Sequence, residues 1–109
     1  MHHSFKKELR IARRKSGLAN MDIAHLFSID KSRVSRLEQG TQKPNLEEVC
    51  GYCIVHDRAL HELFSRTYKV VTEKIRDRLQ SMPSEPANWN AKREARLTSL
   101  ELLRRRLEE

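Results

Sequence analysis

Glycine and proline are scarce in this chain, three of each in 109 residues. Ala, Leu, Glu, Lys and Arg dominate instead, so the composition points to an all-α protein. So few glycines also leave no glycine-rich loop to cradle a nucleotide phosphate. Aromatic residues make up only 6% and hydrophobic residues 38%. That suffices for one modest helical core and falls short of two independent ones. No apolar run approaches the roughly 20 residues of a membrane span. The start, Met1-His2-His3-Ser4, has no apolar stretch of the signal-peptide kind. A cytoplasmic location is expected, in which the two cysteines stay as thiols.

What the chain does have is charge. Lys, Arg, Asp and Glu form 34% of it, with a formal net charge of +7. Residues 1–44 carry ten Lys/Arg against four Asp/Glu, residues 45–64 one against four, and residues 65–109 eleven against seven. The positive field is therefore concentrated in the N-terminal part, as a polyanion-binding surface requires.

Helix signals follow one another along the chain. Ser4 can cap a first helix with Phe5, Leu9 and Ala12 on one face, ended by Gly17 after the basic turn Arg13-Arg14-Lys15. A second short helix carries Ile23, Ala24 and Phe27. After the turn Ser28-Ile29-Asp30, Asp30 can cap a third helix, Lys31 to about Gln39, closed by Gly40. Asn45 and Glu48 form a capping box for a fourth helix, to about Val55. Asp57 then opens one long helix with a stripe of Leu60, Phe64, Tyr68, Val71, Ile75, Leu79 and Met82, stopped by Pro83. Residues 83–90 read as a linker, in which Trp89 anchors the chain onto the long helix. A last helix at about 91–108 lines up Leu97, Leu100, Leu103 and Leu107.

The stretch 20–40 is the most informative. A helix-turn-helix needs a small residue inside its first helix, an apolar one after the turn and aliphatic ones within the second. Ala24, Ile29, Val34 and Leu37 meet those needs. With Val34 and Leu37 inward, the third helix presents Lys31, Ser32, Arg33, Ser35 and Arg36 outward. Arg and Lys match guanine O6 and N7, and Ser serves a base edge or a phosphate. A merely solvated helix face more often mixes in Glu, and this face has none before Glu38.

The segments Gly17-Leu18-Ala19-Asn20 with Ile23-Ala24, residues 34–40 (Val-Ser-Arg-Leu-Glu-Gln-Gly) and residues 43–49 (Lys-Pro-Asn-Leu-Glu-Glu-Val) together resemble the lambda-repressor-like, Cro/cI-type helix-turn-helix proteins. The resemblance covers about residues 5–64. It implies a five-helix DNA-binding domain at 1–64, with residues 65–109 as a C-terminal extension of a long helix plus a final helix. It implies a charge pair between Arg13 and Glu38, and Asn20 beside a phosphate where the family has glutamine. Lys31, Ser32, Arg33 and Arg36 then take major-groove positions, with Arg33 and Arg36 as base readers, and Thr41, Gln42 and Lys43 touch the backbone. Three departures stand out. Ser28 replaces a glycine at the turn, so a left-handed backbone there is strained. Ala19 replaces a Ser/Thr cap, which moves the cap to Asn20. Asn20 itself is shorter than glutamine.

A lone helix-turn-helix covers too little DNA to be selective, so such proteins dimerise on two half-sites. Tyr68, Val71, Ile75, Leu79, Met82, Leu97, Leu100, Leu103 and Leu107 are the expected interface, because neither stripe can bury its apolar side alone. The expected function is a transcriptional regulator, a repressor, that binds a pseudo-palindromic operator as a homodimer and so stays at the nucleoid. The alternative is a DNA-binding antitoxin or adapter whose C-terminal helices hold a different protein. No catalytic constellation and no cofactor are expected. Cys50 and Cys53 with His56 and His61 have a metal-like composition, but all lie in residues that read as helix. The two cysteines read as core thiols. The clusters Lys92-Arg93, Arg96 and Arg104-Arg105-Arg106 read as a solvated helix face.

Overall fold

In the computed structural model residues 5–108 are described, the side chains at 90 and 91 excepted. They form helices α1 (Lys6–Ser16), α2 (Asn20–Phe27), α3 (Lys31–Gln39), α4 (Leu46–His56), α5 (Leu60–Leu63), α6 (Ser65–Leu79) and α7 (Asn90–Glu108). No strand occurs among the described residues, so the chain is all-α. No helix among them is long and apolar enough to cross a membrane. Ser4, expected as the first cap, and the His2-His3 pair lie outside the described residues. The chain divides into two compact units at Tyr68/Lys69, inside α6.

The first unit gathers one core from Phe5, Leu9, Ala12, Ile23, Ala24, Val34, Leu37, Tyr52, Leu63 and Phe64. Most are apolar positions at helical spacing, which puts them on one face of each helix. Gly17 ends α1 at φ 76°, and its N–H donates to the Arg14 carbonyl. The cap of α2 does not move to Asn20. Ala19 keeps that position in an extended conformation, and the Asp22 carboxylate accepts the Ala19 N–H at 2.7 Å. A carboxylate three residues into the helix thus replaces the missing hydroxyl. Ser28 takes the left-handed conformation (φ 54°, ψ 46°), which costs a non-glycine residue on the order of 1 kcal/mol. Asp30 occupies the N-cap of α3, yet its side chain makes no capping hydrogen bond.

Asn45 and Glu48 cap α4 reciprocally: Asn45 Oδ1 accepts the Glu48 N–H at 2.8 Å, and Glu48 Oε1 accepts the Asn45 N–H at 2.9 Å. Gly51 sits mid-helix because Phe27 lies against it. A Cβ there would stand 2.7 Å from the ring, which itself packs edge-on to Tyr52.

The single long helix expected from Asp57 is broken. Asp57 ends α4 in the left-handed region (φ 50°), and Phe64 (φ −113°, ψ 44°) separates α5 from α6. Neighbouring residues on an unbroken helix point about 100° apart. Leu63 and Phe64 are nonetheless both buried, at 2% and 5% exposure, and Phe64 meets the Phe5 ring. The break lets both reach one core. At its other end α6 stops at Leu79, so Met82 falls beyond the helix.

His56 is the last residue of α4. Its ring stacks on Tyr52, and both ring nitrogens are buried without a hydrogen-bond partner. Burial holds its pKa below the ordinary histidine value, with Arg58 adding to the effect and Glu38 opposing it. The folded imidazole therefore takes up a proton less readily than the unfolded chain, which protonates it near pH 6.5. Stability is expected to fall as pH drops below about 6.5. Melting temperatures at neutral and mildly acidic pH check this. The difference should shrink in His56→Phe, and a difference of the same size in both proteins would contradict it.

In the second unit, Arg76 donates to the Leu107 carbonyl at 2.6 Å, which joins α6 and α7. Glu85 organises the linker, pairing with Arg93 and Arg96 at 2.9 Å each, and Arg96 also donates to the Pro83 carbonyl. Trp89 is no buried anchor. It is 37% exposed, with Lys92 Nζ 5.8 Å from its ring centroid. A local cation–π contact holds it, and the linker folds through charge. No described residue of α6 or α7 is fully buried.

Candidate nucleic-acid interface

The three-residue turn at 28–30 joins α2 to α3, and these two helices pack most extensively on each other. Val34 and Leu37 are fully buried, which settles the rotation of α3 about its axis. Two carboxylates then clamp the helix at both ends. Near its C-terminus, Glu38 is buried and accepts from Arg13 Nε at 2.6 Å. Arg13 also donates to the Leu18 carbonyl at 3.1 Å, which ties the α1–α2 connection to the same pair. Hydrogen bonding to Glu38 raises the Arg13 pKa further above its already high value.

Nearer the N-terminus of α3, Arg33 grips Glu48 in a two-pronged pair, Nε to Oε2 and Nη2 to Oε1, each at 2.6 Å. Its remaining Nη1 donates to Gln42 Oε1 at 2.7 Å. The Arg33 hydrogen bonds hold the Glu48 carboxyl below its ordinary range, against the opposing effect of burial and with help from the Asn45 backbone. Tyr52 lies within electrostatic reach of both pairs, and burial pushes its phenol far above the usual value.

These contacts revise the roles read from sequence. Arg33 is not a free outward cation: its guanidinium is spent on Glu48 and Gln42, and it fixes the position of α3 against α4. Gln42 is half-buried in the same network. Asn20 and Ser35 face each other across α2 and α3, with Asn20 Nδ2 3.4 Å from Ser35 Oγ. Lys31, Ser32, Thr41 and Lys43 are exposed. Arg36 is half-buried, and its Nε is buried without a partner. Its carbonyl accepts from the Thr41 and Gln42 N–H groups and the Thr41 hydroxyl, which folds the loop back onto the end of α3. From 31 to 43 the sole carboxylate is Glu38, and it is already neutralised. The exposed strip is thus cationic and rich in hydrogen-bond donors.

Sequence reasoning missed the Arg33–Glu48 pair. Glu48 was legible as half of a capping box, but a carboxylate has two oxygens and several acceptor directions. Which arginine reaches it depends on how α3 crosses α4.

Of the expected interface residues, Tyr68, Val71, Ile75, Met82 and Leu97 are exposed, and Leu79, Leu100, Leu103 and Leu107 half-buried. Ile75, Leu79, Met82, Leu100 and Leu103 line one open groove in the second unit. Arg104 and Arg105 pair with Glu101. Cys50 is exposed and so is no core thiol, whereas Cys53 packs against the core, where burial raises its pKa. Among the described residues no three His, Cys, Asp or Glu side chains gather as a metal site. Compared with models of known families, with curated proteins and with solved structures, the chain finds no match in any of the three.

Proposed function

We propose that the chain is a sequence-specific regulator of transcription, a repressor, which inserts α3 into the major groove of duplex DNA and binds a two-fold operator as a homodimer. On this reading the first unit is a lambda-repressor-like helix-turn-helix domain and the α6–α7 region joins two copies. One observation carries it: α3 is locked by Val34, Leu37 and two arginine–carboxylate pairs, and its free side offers Lys31, Ser32 and Arg36, with Thr41 and Lys43 beside it and no unpaired carboxylate among them. A locked helix with such a face suits the groove, because fixed orientation is what turns hydrogen bonds into base discrimination.

Roles divide by side-chain chemistry and by position on α3 or in the loop after it. Arg36 and Lys31 read bases, Ser32, Thr41 and Lys43 hold phosphates, and Arg33 positions the helix. Duplexes selected from a random pool provide the test. Arg36→Ala should weaken the selected duplex by about 1–3 kcal/mol and relax one base position. Lys43→Ala should weaken selected and random duplexes alike and flatten the salt dependence by about one unit for each bound chain. No enrichment from the pool, or identical behaviour of the two variants on both duplexes, contradicts the proposal.

A further inference from the structure

The N-terminal cationic residues outside the α3 surface have no role in this reading, yet the fold collects them. Lys6, Lys7, Arg10 and Arg14 of α1, with Arg66 of α6, line an open cleft of about 790 Å³ that also includes Thr41 and Gln39. All lie in the first unit. Lys7, Arg10 and Arg14 follow at spacings of three and four, so they share one face of α1, opposite the buried Leu9 and Ala12. The carboxylate in the lining, Glu38, is paired with Arg13. Glu8 lies 3.8 Å from Arg66 and offsets that single charge. Lys6, Lys7, Arg10 and Arg14 are exposed. Arg10 leans on the α3 end through a 3.3 Å hydrogen bond to the Glu38 carbonyl.

We infer that this cleft is a second phosphate-binding surface, which holds the DNA backbone outside the half-site that α3 reads. The inference rests on the proposed major-groove role of α3. Thr41 supplies the continuity, since it lies both in the cleft and in the loop that folds onto the end of α3. Length agrees as well. From Lys7 to Arg14 the helix advances about 10 Å at roughly 1.5 Å per residue. Along one strand phosphates recur every ~3.4 Å of axis, so the row spans about three of them. A row of cations at this spacing, with the nearby acid neutralised, matches a polyanion of regular charge. It contributes affinity and carries no base information.

The test uses the full chain and a duplex selected from a random pool. That duplex is prepared trimmed to the site, and again extended by one helical turn (about 10 bp) on each side. In Lys7→Gln/Arg10→Gln/Arg14→Gln, the slope of log affinity against log salt on the extended duplex should be shallower by about 5 units, three contacts being lost from each chain of the dimer. Preference over random sequence should stay unchanged, and binding to the trimmed duplex should change little. Lys7→Gln/Arg14→Gln keeps the Arg10 contact to α3 and should lose about 3–4 units, two contacts from each chain, which separates lost phosphate contacts from a disturbed fold. Unchanged slopes in both variants, with selective binding by the parent, overturn the cleft and leave the reading of α3 standing. A parent chain with no sequence preference overturns that reading first and this inference with it. If the variants keep the parent slope but lose binding to a polyglutamate peptide, the cleft serves an acidic protein and the inference fails.

Discussion

Glu48→Ala is expected to destabilise the first unit by about 3 kcal/mol, the low end for breaking a buried ion pair, because Arg33 keeps 27% of its side chain exposed. One carboxylate does two things here. It closes the capping box with Asn45 and it accepts both prongs of the Arg33 guanidinium. Truncation leaves a partly buried cation without its partner and an uncapped first turn on α4. A domain of this size is stable by only about 3–9 kcal/mol, so the loss is a large fraction of the total. Urea titration followed by circular dichroism measures it.

The native pair also has a definite pH signature. Because the folded carboxyl titrates below its unfolded value, its contribution is present above the ordinary carboxylate range and is lost as pH falls through the depressed value. The acid limb of the stability curve should therefore flatten in Glu48→Ala. A loss below about 0.5 kcal/mol, the size of an ordinary surface substitution, would mean the pair does not hold α3 in place. Operator binding separates position from charge. Glu48→Gln keeps the cap geometry but gives up the ionic partner, and it should weaken selected duplexes more than random ones, because it loosens the orientation of α3.

The second large effect concerns assembly. If the chain assembles as proposed, Ile75→Asp combined with Leu103→Asp is expected to convert the proposed dimer into single chains of 12.9 kDa, as read by light scattering. Both residues line the same groove, and no described residue of α6 or α7 is fully buried within the chain. Two carboxylates in a desolvated apolar contact are strongly unfavourable, so association should fail while the first unit keeps its helical signal. Half-site binding then loses its linked partner, and affinity for the full operator should drop by about 100-fold or more. A variant that remains dimeric removes the α6–α7 groove from the interface. A parent that is monomeric at micromolar concentration, and that co-purifies with a different chain in fixed ratio, points to the adapter function.

Much of this protein is local and therefore legible in its residues. Helix spacing marked Leu9, Ala12, Ile23, Ala24, Val34 and Leu37 as core, since a period of 3.6 sorts side chains by face without knowledge of any neighbour. Gly17 and Gly40 ended their helices because a left-handed residue is needed there, and the Asn45–Glu48 box is a contact three residues apart. The clustering of cations in residues 1–44 is likewise a matter of counting. The pairing of distant residues is another matter. Arg33 reads as an outward cation by its position on α3, and became an inward clamp only because α4 brings Glu48 within 2.6 Å. The stripe from Leu60 to Leu79 is continuous as a pattern, yet the chain breaks at Phe64 so that Leu63 and Phe64 can both meet the core. Glycine at 51 follows from the ring of Phe27 on another helix. Periodicity determines which side of a helix is apolar; only the crossing of helices decides which charges meet, and so which cations remain exposed for a ligand.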